Sequence, residues 1–126
     1  LNGERISISE ARRIEIEGIN SVGDCLRNSS EAFKDKAVPD PRVTQQIPEL
    51  AERGRMLANR FLDDINNKLK NSEYVAGNQF SMADINLFVL LDFASWIKVI
   101  PNDNHVNLIK WKEVVSSRES AKVFEN

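Results

Sequence analysis

Three observations predict an all-α fold for this 126-residue chain. Apolar residues recur every three or four positions along two long segments. A helix-capping signature stands directly before a long apolar stretch. No segment alternates apolar and polar residues as a half-buried strand does. About five helices packed in one bundle, a single domain over residues 1–126, account for the pattern.

The first helix is expected from about Ser9 to Lys36. Its stripe is Ile16, Ile19, Gly23, Leu26, Ser30 and Phe33, spaced to form one helical face. Gly18 and Gly23 each lower its intrinsic stability by about 1 kcal/mol relative to alanine. They mark places for the close approach of another backbone or for a bend. Pro39 and Pro41 end this helix, because neither can donate a backbone hydrogen bond.

The second helix is expected from about Val43 to Lys70, with Pro48 in its first turn or forcing a later start. Its stripe runs Ile47, Leu50, Gly54, Leu57, Ala58, Phe61, Leu62, Ile65 and Leu69. A loop with Tyr74, Val75, Ala76 and Gly77 follows.

The third helix carries the strongest start signal. Ser81-Met82-Ala83-Asp84 fits a capping box, with Asp in place of the usual Glu. The Ser81 hydroxyl is expected to accept the Asp84 backbone N–H, and the Asp84 carboxylate to answer the Ser81 N–H. Asp84 also suits the positive end of the helix dipole. Phe80 and Ile85 hold the two positions of a hydrophobic staple. Ser81 and Asp84 are therefore a helix cap rather than a catalytic pair. The helix is expected to run to about Ile100 and to stop at Pro101. A fourth helix, about Val106 to Ser117, carries Leu108, Trp111 and Val115 on one side. A short fifth follows at about Ser120 to Phe124.

Composition narrows the function. There are 17 Lys and Arg against 19 Asp and Glu, spread evenly, which argues against a nucleic-acid partner. The apolar run from Ile85 to Ile100 is broken by Asn86, Asp92, Ser95 and Lys98. It falls short of the roughly 20 residues that cross a bilayer, so no membrane partner is expected. One cysteine and one histidine exclude an internal disulfide and a zinc-finger type of site. A reducing, cytoplasmic compartment suits such a chain. The start lacks the layout of a signal peptide. Cys25 reads as a partly buried, inert thiol. His105 reads as an exposed loop or helix-start residue. Trp96 and Trp111 read as core residues, with a ligand cleft as the alternative for Trp96. No catalytic or metal-ligating residue is assigned.

The stretch from Tyr74 to Ile85, an aromatic, a glycine, an apolar residue and then Ser81-x-x-Asp84, resembles the C-terminal all-helical domain of the glutathione transferase family. Asn107-Leu108-Ile109-Lys110-Trp111 resembles the family's next helix, and Ser117-Arg118-Glu119-Ser120 the joint after it. The family usually has proline where Val106 stands, and often where Glu119 stands. The resemblance covers nearly the whole chain.

It implies the second half of an enzyme whose first half is a thioredoxin-like domain. No βαβ pattern precedes the first helix, so this domain is expected as a partner outside the chain. That partner would hold most of the glutathione site and the catalytic residue, so the chain alone is expected to be inactive. The implied function is conjugation of glutathione, as co-substrate, to a small electrophile. This domain would supply the wall of the electrophile pocket and much of a homodimer interface. In some classes an Asp on the first helix reaches glutathione held by the partner subunit. That position falls at Ser21, beside Asn20; a solvated helix face is the alternative. Asp24, Arg27 and Asn28 are the candidates to border the substrate pocket. The rival reading is a non-catalytic, protein-binding module on the same fold. A glutathione-dependent reductase or isomerase would look the same in this half.

Overall fold

The computed structural model describes residues 2–35, 42 and 44–118. The first rod comprises α1 (Asn2–Arg13), a π-helical turn (Ile14–Ile19) and α2 (Asn20–Ser29). Arg13, Ile19 and Asn20 all keep right-handed helical dihedrals, so the rod is unbroken. It starts seven residues before the expected Ser9 and ends seven before Lys36. Side chains, not the prolines, end it. Ser30 is extended, and its hydroxyl accepts the Ala32 N–H to open a single 3₁₀ turn, Glu31–Phe33. Gln46 Nε2 donates to the Arg27 and Ser30 carbonyls at 2.9 and 2.7 Å, satisfying groups that a helix end leaves open. The expected stop at Pro39 and Pro41 lies outside the described residues.

The buried side of this rod differs from the expected stripe. Ala11, Ile14, Gly18, Ser21, Val22, Cys25 and Asn28 face inward, whereas Ile16 is 65% exposed. Small and polar residues fill much of the inner face, and a hydropathy pattern does not register them.

Their smallness has a structural use. α3 (Pro48–Lys68) packs along α2, with Pro48 in its first turn, where a missing N–H costs nothing. A methyl at Gly54 would lie 2.5 Å from the Ser21 carbonyl oxygen and 2.9 Å from the Cys25 nitrogen. The two backbones therefore touch at Gly54. Gly18 instead meets side chains, those of Leu90 and Phe61, and Gly23 meets only the end of Arg27.

The 71–80 loop closes through paired backbone bonds between Tyr74 and Gly77. Gly77 has φ 128°, a conformation open to glycine and strained for other residues. α4 (Met82–Ser95) crosses the first rod at α1 and the π turn, and α5 (Val106–Ser116) packs on α3 and α4. α4 ends at Ser95 rather than Ile100. Lys98 takes φ 63°, and Val99 N–H and Lys98 N–H bond back to the Ala94 and Ser95 carbonyls. That is a Schellman stop, built on a lysine and so invisible to a search for glycine. The expected helix at residues 120–124 lies outside the described residues.

α4 is apolar on nearly every side. Leu87, Leu90, Leu91 and Ala94 are buried with Ile14, Phe61, Leu62, Leu108 and Trp111 in one core. Met82, Val89, Trp96 and Ile100 point outward and are exposed. Trp96 was expected in the core; it is 65% exposed and touches Phe93 edge-on at 5.2 Å. Among the described residues, no helix is long and apolar enough to cross a membrane.

Candidate functional site

Asp84 fixes how α4 sits in the bundle. Its side chain is fully buried. Oδ2 accepts the Ser81 N–H at 2.9 Å, while the Ser81 hydroxyl accepts the Ala83 N–H at 3.3 Å. Both arms of the capping box are present. Oδ1 reaches further, accepting the Val75 N–H at 2.9 Å and the Trp111 indole N–H at 2.8 Å. One carboxylate thus joins the loop, α4 and α5. Phe80 meets Tyr74 edge-on at 5.9 Å, with the Arg118 guanidinium 3.9 Å above its ring, a cation–π contact. Ile85 is half-buried.

A cleft of about 350 Å³ opens where the π turn and the start of α2 face α3. Ile16, Leu57 and Phe61 form its apolar wall; Glu17, Ser21, Arg60 and Asp64 complete it. The volume is in the range of small-molecule sites. Glu17 accepts a 2.8 Å bond from Arg13 Nε. That bond, with the nearby charges of Glu17, Glu10 and Asp64, holds the Arg13 pKa above its ordinary value against a smaller opposing effect of burial. The guanidinium stays charged and steadies the rim. Behind it, Lys68 of α3 pairs with Glu10 of α1.

The cleft is suited to binding rather than bond-making. Its one hydroxyl, on Ser21, donates to the Glu17 carbonyl of its own helix at 2.8 Å. Cys25 is a free, fully buried thiol. No group of three or more His, Cys, Asp or Glu side chains among the described residues could hold a metal ion.

Of the five residues singled out on the first helix, Ser21 alone lines this cleft. Asn20 is exposed at the start of α2. Asp24 and Arg27 form a 2.7 Å ion pair with each other. Asn28 is buried, donating to the Asp24 carbonyl at 2.8 Å and accepting the Ile47 N–H at 3.0 Å. It ties the end of α2 to the start of α3. Leu57, Arg60, Phe61 and Asp64 were not singled out as a site. Their spacing of three, one and three residues places them on one face of α3, a signal the sequence does contain.

His105 departs from expectation. It does start α5, but it is only 5% exposed. Nδ1 accepts the Asn102 N–H at 3.0 Å, so the ring proton sits on Nε2, which donates to Asp63 at 2.6 Å. The ring joins the turn before α5 to α3.

Comparison with known proteins agrees with this architecture. Residues 29–119 match the model of the glutathione S-transferase C-terminal domain. A glutathione S-transferase domain-containing protein of Marinobacter aquaeolei VT8 superposes with TM-score 0.81 at 24% identity, over 94% of this chain and 56% of that one. Gtt2 from Saccharomyces cerevisiae gives 0.81 at 25% identity, over 93% and 54%. A Gtt2-class glutathione S-transferase of Vibrio parahaemolyticus gives 0.74 at 22%, over 96% and 53%. The chain spans about half the length of each of these structures. No curated protein matches it at a significant level. The capped central helix, the all-helical order and the family match over residues 29–119 agree: the chain belongs to the glutathione S-transferase C-terminal domain family.

Proposed function

We propose that this domain serves glutathione conjugation by supplying the apolar wall against which a small electrophile is held. The observation that carries the proposal is the cleft at the π turn, where Ile16, Leu57 and Phe61 face a common space beneath a charged rim. A domain of this family with such a cleft is suited to positioning an apolar substrate.

In this reading the attacking thiolate and its activating residue belong to a thioredoxin-like half. The outward side of α4 and of the turn that ends it supports such a partner. Met82, Val89, Trp96 and Ile100 are exposed, and a helix that is apolar all round is normally covered. The related structures are nearly twice as long as this chain, which leaves room for that cover. Asn20 and Ser21 would lie towards glutathione held by the partner subunit of a homodimer, with Asp24, Arg27 and Asn28 further along the same helix. The enzyme would work in the cytoplasm.

The test uses the protein as it occurs in its source. Conjugation of glutathione to a chromogenic aryl halide is measured for the natural protein and for its Ile16→Asp variant. The proposal expects activity in the first and about a tenfold lower kcat/KM in the second, because the apolar wall gains a charge. A natural protein that binds no glutathione, yet retains another protein stably, would replace this reading with that of an interaction module.

A further inference from the structure

A second pocket, sharing no residue with the cleft, lies between the end of α3, the 71–79 loop and α5. Its volume is about 410 Å³. Leu69, Trp111 and Val114 supply apolar floor. Lys70, Asn71, Ser72, Glu73 and Asn78 line one side, and Asn107 and Lys110 the other.

We propose that this pocket binds a small organic dianion: two carboxylates joined by a short apolar spacer. The two lysines come from different walls, Lys70 from the turn after α3 and Lys110 from α5. Neither has an ion-pair partner among the described residues. Two separated cations on either side of an apolar floor match two separated anions better than one compact phosphate. The Asn71 and Asn78 amides, which make no side-chain hydrogen bond among the described residues, are donors available to carboxylate oxygens. Glu73 is the one carboxylate lining the pocket, and the two lysines leave a net positive charge. The floor is fixed, because Trp111 is anchored to Asp84. Ser72 is occupied too: its hydroxyl donates to the Tyr74 carbonyl at 2.8 Å and shapes the loop.

Adipate is the probe and adipamide its uncharged counterpart. In a Trp96→Phe background Trp111 is the one tryptophan left, so its emission reports on the floor of the pocket. The proposal expects a saturable change with adipate and none with adipamide. Substituting both Lys70→Ala and Lys110→Ala should weaken adipate binding by about tenfold, the combined effect of two partly exposed ion pairs. Both lysines are exposed, so the fold should survive, as far-UV circular dichroism would verify. Amide shifts in the unsubstituted protein should centre on Asn71, Asn78 and Asn107. Absence of saturation, equal binding of adipamide, an unchanged dissociation constant in the double variant, or shifts centred elsewhere would each overturn the proposal.

Discussion

Trp111 donates its indole N–H to Asp84 at 2.8 Å, across 27 residues of sequence and inside the core. The carboxylate that caps α4 therefore also sets where α5 lies. Trp111→Phe removes one of its donors and leaves a small void. It should lower unfolding free energy by about 2–3 kcal/mol, measured by chemical denaturation. Asp84→Asn should cost at least as much. One amide oxygen cannot accept from Ser81 on one side and from Val75 and Trp111 on the other, and the new NH₂ group faces donors.

Two glycines should respond with opposite signs. At Gly54 an added methyl meets the backbone of α2, which cannot yield. Gly54→Ala should destabilise by about 2 kcal/mol, overpacking outweighing the roughly 1 kcal/mol gain in helix propensity. At Gly23 the methyl meets only the guanidinium of Arg27, a flexible neighbour. Gly23→Ala should stabilise by about 0.5–1 kcal/mol. Thermal melts of the two variants would show the contrast, and melting temperatures moving in the same direction would refute it.

The Schellman stop after α4 stands on a residue with a Cβ. Lys98 pays the steric penalty of the left-handed region. Lys98→Gly should raise stability by about 0.5–1 kcal/mol, seen as a higher denaturation midpoint at unchanged slope.

Ile16→Asp separates binding from folding. The side chain is largely exposed, so stability should move by no more than about 0.5 kcal/mol. Binding of an apolar probe in the cleft should weaken, which calorimetry on the same variant would read. A large loss of stability instead would mean that Ile16 is part of the core.

Trp96 offers a direct test of the thioredoxin-like partner. In this chain alone its emission should lie in the red, as for a solvated indole. In a protein carrying both halves it should move to shorter wavelength, because the partner would cover it. Identical spectra would place the partner elsewhere.

How much of this was legible in the sequence depended on the range of the forces involved. α5 and the cap of α4 were legible because their signals are local, within three or four residues. Pro48 in the first turn of α3 was legible for the same reason, although the helix starts at Pro48 and not at the expected Val43. The end of α2 was not, since Gln46 closes it from 16 and 19 residues further on. The inner face of the first rod was missed because Gly18, Ser21 and Asn28 lie where hydropathy looks for large side chains. His105 is buried and bonded to Asp63, 42 residues away, and no local pattern announces that. The wall of the cleft on α3 was written in the spacing of Leu57, Arg60, Phe61 and Asp64. Its other wall depends on the π turn, for which the sequence offers no comparable mark.

That turn also governs tolerance to change in length. A π turn holds about one residue more than an α-helical turn. Deleting one residue between Ile14 and Ile19 would let the rod become regular. Because the wide turn takes up that extra residue, α1 and α2 would keep nearly the same facing afterwards. Ala11 would stay in the core and Glu10 beside Lys68. A single-codon deletion at exposed Ile16 should therefore leave a folded protein. The same deletion in the middle of α2 would turn the stretches on either side of it by about 100° relative to each other, and should fail as a much lower melt or as no soluble protein. The rod can give up a residue in this turn that it cannot give up in its regular stretches.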